Sequence, residues 1–167
     1  LGFYECPYPF KRLITLEELA VCRDSGRFAF MKDTCCDLAT IRQRLQVLDG
    51  SAFRLYNANT TTCLASVREG AAGFSGVMLN FHPRLYRWML DHRDSAPREA
   101  DRMQAFLTLF SEIERQYYPV NAKYYLSAIS QVIATDQART LPAEGLSETF
   151  REEIRHLTLA ANALANS

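Results

Sequence analysis

Residues 28–58 read FAFMKDTCCDLATIRQRLQVLDGSAFRLYNA, and the fold follows from this stretch. It opens on FAFMK, residues 28–32, an apolar run of strand length. Asp37 then stands where an N-cap belongs, and Leu38, Ile41, Leu45 and Leu48 recur at helical spacing until Asp49 and Gly50 stop the pattern. A second strand-length run, FRLYNA, occupies residues 53–58. An amphipathic helix between two apolar strands is a βαβ unit, whose strands run parallel through a right-handed crossover. The same rhythm extends in both directions. Upstream, LGFYEC at residues 1–6 reads as a strand ended by Pro7 and Pro9. Thr15 and Glu18 then form a capping box ahead of Leu16, Leu19, Ala20 and Cys22, with Ser25 and Gly26 as the stop. Downstream, a helix from about Thr61 to Glu69 ends at Gly70, GFSGVML at 73–79 predicts a fourth strand, and a further helix runs from Pro83 to His92.

Four β-then-α units in a row make the class α/β. Repeats of about 25 residues suit a TIM (β/α)8 barrel, which takes about 250 residues and eight strands. This chain has 167 residues and supplies half of that pattern. Past DHRDSAPRE the strand signals stop, and helical stretches are predicted at about 98–118, 121–135 and 147–165. The seam near Ser95, Ala96 and Pro97 divides a half-barrel, residues 1–95, from a C-terminal helical extension, residues 96–167. The chain starts at Leu1 inside an apolar run, so a cut within a larger protein is expected.

Charge and cysteine content exclude several functions. The 19 Lys and Arg residues balance 19 Asp and Glu residues, leaving no field to hold a phosphate backbone or an anionic membrane. Neither nucleic acid nor membrane is expected as a partner, and a cytoplasmic setting is. The five cysteines, Cys6, Cys22, Cys35, Cys36 and Cys63, lack C-x-x-C spacing and read as reduced core thiols rather than a zinc site or disulfide framework.

Lys32 is the residue most able to do chemistry. It is one of three lysines, with Lys11 and Lys123, and it ends the apolar run FAFM. In a parallel barrel the C-terminal ends of the strands face the catalytic mouth. A lysine partly desolvated there has a lowered pKa and a neutral amine able to attack a carbonyl and form a Schiff base. The same position suits a strand-end lysine paired with Asp33 or Asp37. Tyr4 holds the matching place on the first strand, where a phenol can relay protons or simply pack.

The segments YECPYPF, FAFMKD, RLYNAN and GAAGFSGVMLNFHP, in this order, resemble the C-terminal half of the dihydrodipicolinate synthase and N-acetylneuraminate lyase family of class I aldolases. The resemblance runs from Leu1 through at least His92, and the C-terminal helices look like the family's extension after the barrel. It implies that Lys32 is the Schiff-base lysine for pyruvate or another 2-oxo acid and that Tyr4 is the proton-relay tyrosine. It implies that Ser75 lends a backbone carbonyl near the imine, and that Asn57, Ala58, Asn59 and Thr60 form the loop selecting the second substrate. No cofactor is implied, because the imine is itself the electron sink. A homo-oligomer is expected, since open sheet edges pair.

Departures from the family pattern are equally specific. Where dihydrodipicolinate-forming enzymes carry an arginine five residues after the tyrosine, this chain has Pro9, with Lys11 and Arg12 out of register. Their Gly-Asp-Asp loop is here Ala58-Asn59-Thr60, and the acidic pair of sialic acid lyases is replaced by Thr60 and Thr61. The family's carboxylate-binding Gly/Thr loop belongs to the other half-barrel, so the isolated chain is expected to be inactive. The reading is a Schiff-base lyase or aldolase; a dehydratase on a sugar-derived 2-oxo acid and a non-catalytic homologue or fragment are the alternatives. His82 is expected to be a cap or a solvated side chain, and the pairs Tyr117-Tyr118 and Tyr124-Tyr125 to be core or oligomer contacts of the extension.

Overall fold

Four parallel strands, paired in the order β1-β2-β3-β4, carry the first part of the chain. A computed structural model of the protein describes residues 1–6, 10–139 and 141–165. The strands are β1 (Gly2–Tyr4), β2 (Phe30–Asp33), β3 (Arg54–Asn57) and β4 (Gly73–Phe74), joined in sequence by three connections. Helices α1 (Leu16–Asp24), α2 (Leu38–Leu48) and α3 (Cys63–Arg68) fill the three crossovers. Sequential order with every pair parallel is the α/β arrangement the repeat predicts. The turn signals at Pro7 and Pro9 lie outside the described residues.

Local chemistry sets these boundaries. Thr15 accepts a hydrogen bond from the Glu18 N–H while Glu18 accepts from the Thr15 N–H, so both orphan donors at the start of α1 are satisfied. Asp37 caps α2 by accepting from the Thr40 N–H at 2.7 Å. Because strand residues alternate faces, Phe3, Met31 and Leu55 point one way. They meet Leu19 of α1 and Ile41 and Leu48 of α2 in one hydrophobic core.

Contacts divide the chain into two compact units, Leu1–Gly76 and Val77–Ser167. The second contains α4 (Pro83–Asp91), α5 (Pro97–Glu114), α6 (Val120–Tyr124) and α7 (Glu148–Ala165). One of its cores joins Val120, Tyr124, Leu146 and Ile154. Tyr124 is thus a core residue of the helical region.

Several predicted elements are shorter than the apolar pattern suggests. The run at 73–79 gives only two residues of β4, extended by the Ser75 N–H donating to the Asn57 carbonyl at 2.7 Å. Val77–Asn80 then wind into a short 3-10 turn, since a brief apolar run fits either state. The helix predicted at 121–135 stops as regular α-helix at Tyr124 and widens into a π-turn over Tyr125–Ile129. Gln131 ends it with φ 53, the left-handed conformation that commonly closes a helix. The cysteines are not uniformly core thiols: Cys63 is buried, Cys22 and Cys35 are half-buried, and Cys6 and Cys36 are exposed. His82 is neither solvated nor a side-chain cap. It is buried, and α4 begins without a hydrogen bond from its ring.

Candidate functional site

Strand register places Tyr4 beside Lys32, and Lys32 beside Tyr56. These residues alternate with the core-facing Phe3, Met31 and Leu55, so they share the opposite face of the sheet, at its C-terminal rim. The Lys32 Nζ lies 4.4 Å from the centroid of the Tyr4 ring. A cation held over a phenol face gains from the ring quadrupole, which draws the two side chains together. Tyr4 is 47% exposed and Lys32 is half-buried. Partial burial lowers the Lys32 pKa below that of an ordinary lysine, with a weaker opposing influence from Cys6. The carboxylates that could pair with Lys32 turn elsewhere. Asp33 binds Arg44, and Asp37 caps α2.

The rim also gathers the loop after β3. The Ala58 N–H donates to the Asp33 carbonyl at 2.9 Å, and the Ser75 N–H reaches Asn57, so the ends of β2, β3 and β4 are tied together. Asn57 is fully buried, because it lies on the helix side of the sheet. Its amide donates to Thr62 Oγ1 at 2.9 Å and Ser66 Oγ at 3.0 Å, and its Oδ1 accepts from the Asn59 N–H at 2.8 Å. Asn59 Oδ1 in turn accepts from the Thr62 N–H at 3.0 Å. Thr60 is buried, while Ala58, Asn59 and Ser75 are half-buried. The polar side chains of Asn57 and Asn59 therefore build the loop, and Ala58, Asn59 and Ser75 retain surface at the rim.

Sequence reasoning missed what lies beneath Tyr4 and Lys32. The next residues, Glu5 and Asp33, face the helices and are buried, and both receive the guanidinium of Arg44 from α2. Arg44 Nη1 donates to Glu5 Oε2 at 2.9 Å and also to Asp33 Oδ2, while Nη2 donates to Glu5 Oε1 at 2.7 Å. A signal was available: Arg44 sits among Ile41, Leu45 and Leu48 on the apolar face of α2. A cation there needs a buried anionic partner. Tyr56 was also overlooked, although strand parity puts it on the Lys32 face. The position of Pro9, where related synthases carry an arginine, lies outside the described residues. Arg12 is exposed and pairs with Glu18. Among the described residues no group of three or more His, Cys, Asp or Glu side chains is placed to hold a metal ion. No helix there is long and apolar enough to cross a membrane.

No protein-family model matches the chain, and no curated protein matches by sequence. Solved structures do match. A dihydrodipicolinate synthase from Cyanidioschyzon merolae superposes with a TM-score of 0.82 at 18% identity, over 96% of this chain and 54% of that one. The dihydrodipicolinate synthase of Thermotoga maritima gives 0.81 at 17% identity, over 96% and 55%. A candidate dihydrodipicolinate synthase from Thermus thermophilus gives 0.76 at 24% identity, over 95% and 56%. The chain thus has the fold of about half of these proteins, an α/β half of the TIM-barrel type followed by helices. The resemblance read from the sequence holds at the level of fold.

Proposed function

We propose that this chain is the Schiff-base-bearing half of a class I lyase or aldolase of the dihydrodipicolinate synthase family, acting on pyruvate or another 2-oxo acid. One observation carries the reading: Lys32 and Tyr4 are register partners at the C-terminal rim, with the amine 4.4 Å from the phenol ring. Desolvation of Lys32 favours the neutral amine that must act as nucleophile. In the proposed reaction the Nζ lone pair attacks the 2-oxo carbon, and the carbonyl oxygen takes up a proton to give a carbinolamine. Loss of water then leaves a protonated imine. Its C=N⁺ accepts the electron pair when the adjacent carbon–carbon bond breaks or a carbanion equivalent forms, so no separate cofactor is required.

Tyr4 is assigned the proton transfers between carbinolamine oxygen and water. The backbone carbonyl of Ser75 is assigned to the neighbourhood of the imine. Ala58 and Asn59 are proposed as surface facing the second substrate, with Asn57 and Thr60 shaping the loop from within. This reading keeps residues 1–95 as the half-barrel and 96–167 as its helical extension. It also keeps the homo-oligomer, since β1 and β4 each have one neighbour among the described strands. The 2-oxo acid carboxylate would be held by the remaining half of a barrel.

Pyruvate with borohydride, applied to the protein with both halves of the barrel present, tests the proposal; the isolated chain, without the carboxylate-binding half, should label poorly. Reduction converts the imine to a stable secondary amine, and peptide mapping should find the adduct on Lys32, with Lys11 and Lys123 unmodified. Tyr4→Phe should slow turnover while leaving trapping measurable, because the phenol moves protons but does not form the bond. Absence of any adduct at Lys32 of the complete barrel across a panel of 2-oxo acids would refute the reading.

A further inference from the structure

Glu5 directly follows Tyr4, and Asp33 directly follows Lys32, so one step past the proposed reacting pair each strand turns a carboxylate to the opposite face. Both carboxylates are buried there, and one side chain holds them: Arg44, 1% exposed, from the middle of α2. The guanidinium is a rigid planar fork, and its bonds to Glu5 and Asp33 fix the spacing between the two strand ends.

Further bonds lock the arrangement. Glu5 Oε1 accepts from the Ile14 N–H at 2.8 Å and Oε2 from the Thr34 N–H at 3.2 Å. Thr34 Oγ1 donates to the Glu5 carbonyl at 2.6 Å, and Asp33 Oδ1 accepts from the Cys35 N–H at 2.8 Å. Arg44 Nη2 reaches the Ile14 carbonyl at 3.2 Å. Both carboxylates thus bind the same cation and are anchored to backbone on either side of the rim. β1 itself is only three residues long, and the ladder alone holds such a strand end weakly.

We propose that Arg44, Glu5 and Asp33 form a positioning triad that sets the Tyr4 phenol against the Lys32 amine, an inference that rests on the Schiff-base reading for its catalytic meaning. All three are buried on the helix side of the sheet, opposite the face that carries Lys32. Their action is through backbone: a rim held by one fork cannot let β1 slide or splay against β2 without breaking a buried ion pair. A small displacement of a nucleophile from its attack geometry costs a large factor in rate.

Arg44→Lys isolates geometry from charge, because it keeps the cation and loses the fork. In the complete barrel with far-UV circular dichroism retained, borohydride trapping of Lys32 at saturating pyruvate should slow by at least about tenfold, with half-saturation changed less than about twofold. A second readout does not need the reaction. The wild-type chain has three lysines and Arg44→Lys adds a fourth at position 44, so side-chain NMR, with the added signal identified by comparison with wild type, can follow Lys32 separately. Its titration midpoint should rise by about half a pH unit or more as the loosened rim admits water. Glu5→Gln, which keeps shape and removes one charge, should slow trapping likewise. Folded variants with wild-type trapping and an unmoved Lys32 midpoint would overturn the triad. So would loss of the fold in both variants, which would make these residues purely structural. A wild-type protein with no adduct, but a Lys32 midpoint that moves in Arg44→Lys, would refute the Schiff-base reading and leave the positioning intact.

Discussion

The first unit buries a charged cluster, and the second buries a pair that is pushed toward neutrality. In the first, Arg44 is held by Glu5, Asp33 and the Ile14 carbonyl, and the acids take three further backbone N–H groups. Burial pulls the arginine's pKa down, but its hydrogen bonds to Glu5 and the charge of Asp33 outweigh it, leaving the value above that of a free arginine. In the second, His82 Nε2 lies 3.3 Å from Glu114 Oε1 without a hydrogen bond. The surroundings of the ring are aromatic: Phe81, Phe110 and Tyr125 centroids lie 5.2–6.2 Å from one another or from the imidazole. The nearby Asn121 amide donates to the Glu114 backbone carbonyl at 2.7 Å rather than to its carboxyl. Burial then governs, lowering the His82 pKa to about 4 and raising that of Glu114 to about 8. Similar depth gives opposite outcomes because donors were supplied to one cluster and not to the other.

Removing the cation from the first cluster should have the largest effect. Arg44→Met leaves two buried carboxylates facing each other and is expected to cost about 3–5 kcal/mol in urea unfolding. A loss below about 1 kcal/mol would mean that water reaches the cluster and that the contrast is false. An intermediate loss is expected for Asn57→Ala, which strips partners from Thr62, Ser66 and the Asn59 N–H, at about 1–3 kcal/mol by the same measurement. An unchanged midpoint would show that the loop re-forms its bonds with solvent.

The smallest effect near pH 4.5, and the sharpest test of the second cluster, belongs to Glu114→Gln. The raised Glu114 pKa means that above about 4.5 the unfolded chain releases a proton the folded chain keeps, so stability falls with rising pH until about 8. His82 acts oppositely between about 4 and 6.5, where the unfolded chain holds the extra proton and stability rises with pH. The two slopes oppose each other between 4.5 and 6.5, leaving Glu114 alone from 6.5 to 8. Glu114→Gln should change stability by under about 1 kcal/mol near pH 4.5, and above it should remove the decline, so that the variant gains on the wild type as pH rises, as followed by thermal unfolding across pH. A decline that persists in the variant would assign it to another group.

Periodicity in the sequence determined the parallel order of β1 to β4, because alternating strands and amphipathic helices have one chirality in which to pack. The caps at Thr15 and Asp37 were legible for the same local reason, each acting on backbone three residues away. Lys32 and Tyr4 were legible as strand-end residues, since parallel strands bring their C-terminal ends to one rim. Their register and separation were not. Those come from pairing across 28 residues of chain, beside which Arg44 contacts Glu5 from 39 residues away. The tertiary structure alone decided that Asn57 turns inward to Thr62 and Ser66, because face parity follows where β3 starts. It alone decided that His82 is buried against Glu114. A histidine before a helix looks the same in sequence whether it meets water or a carboxyl 32 residues further on, and only packing chooses between them.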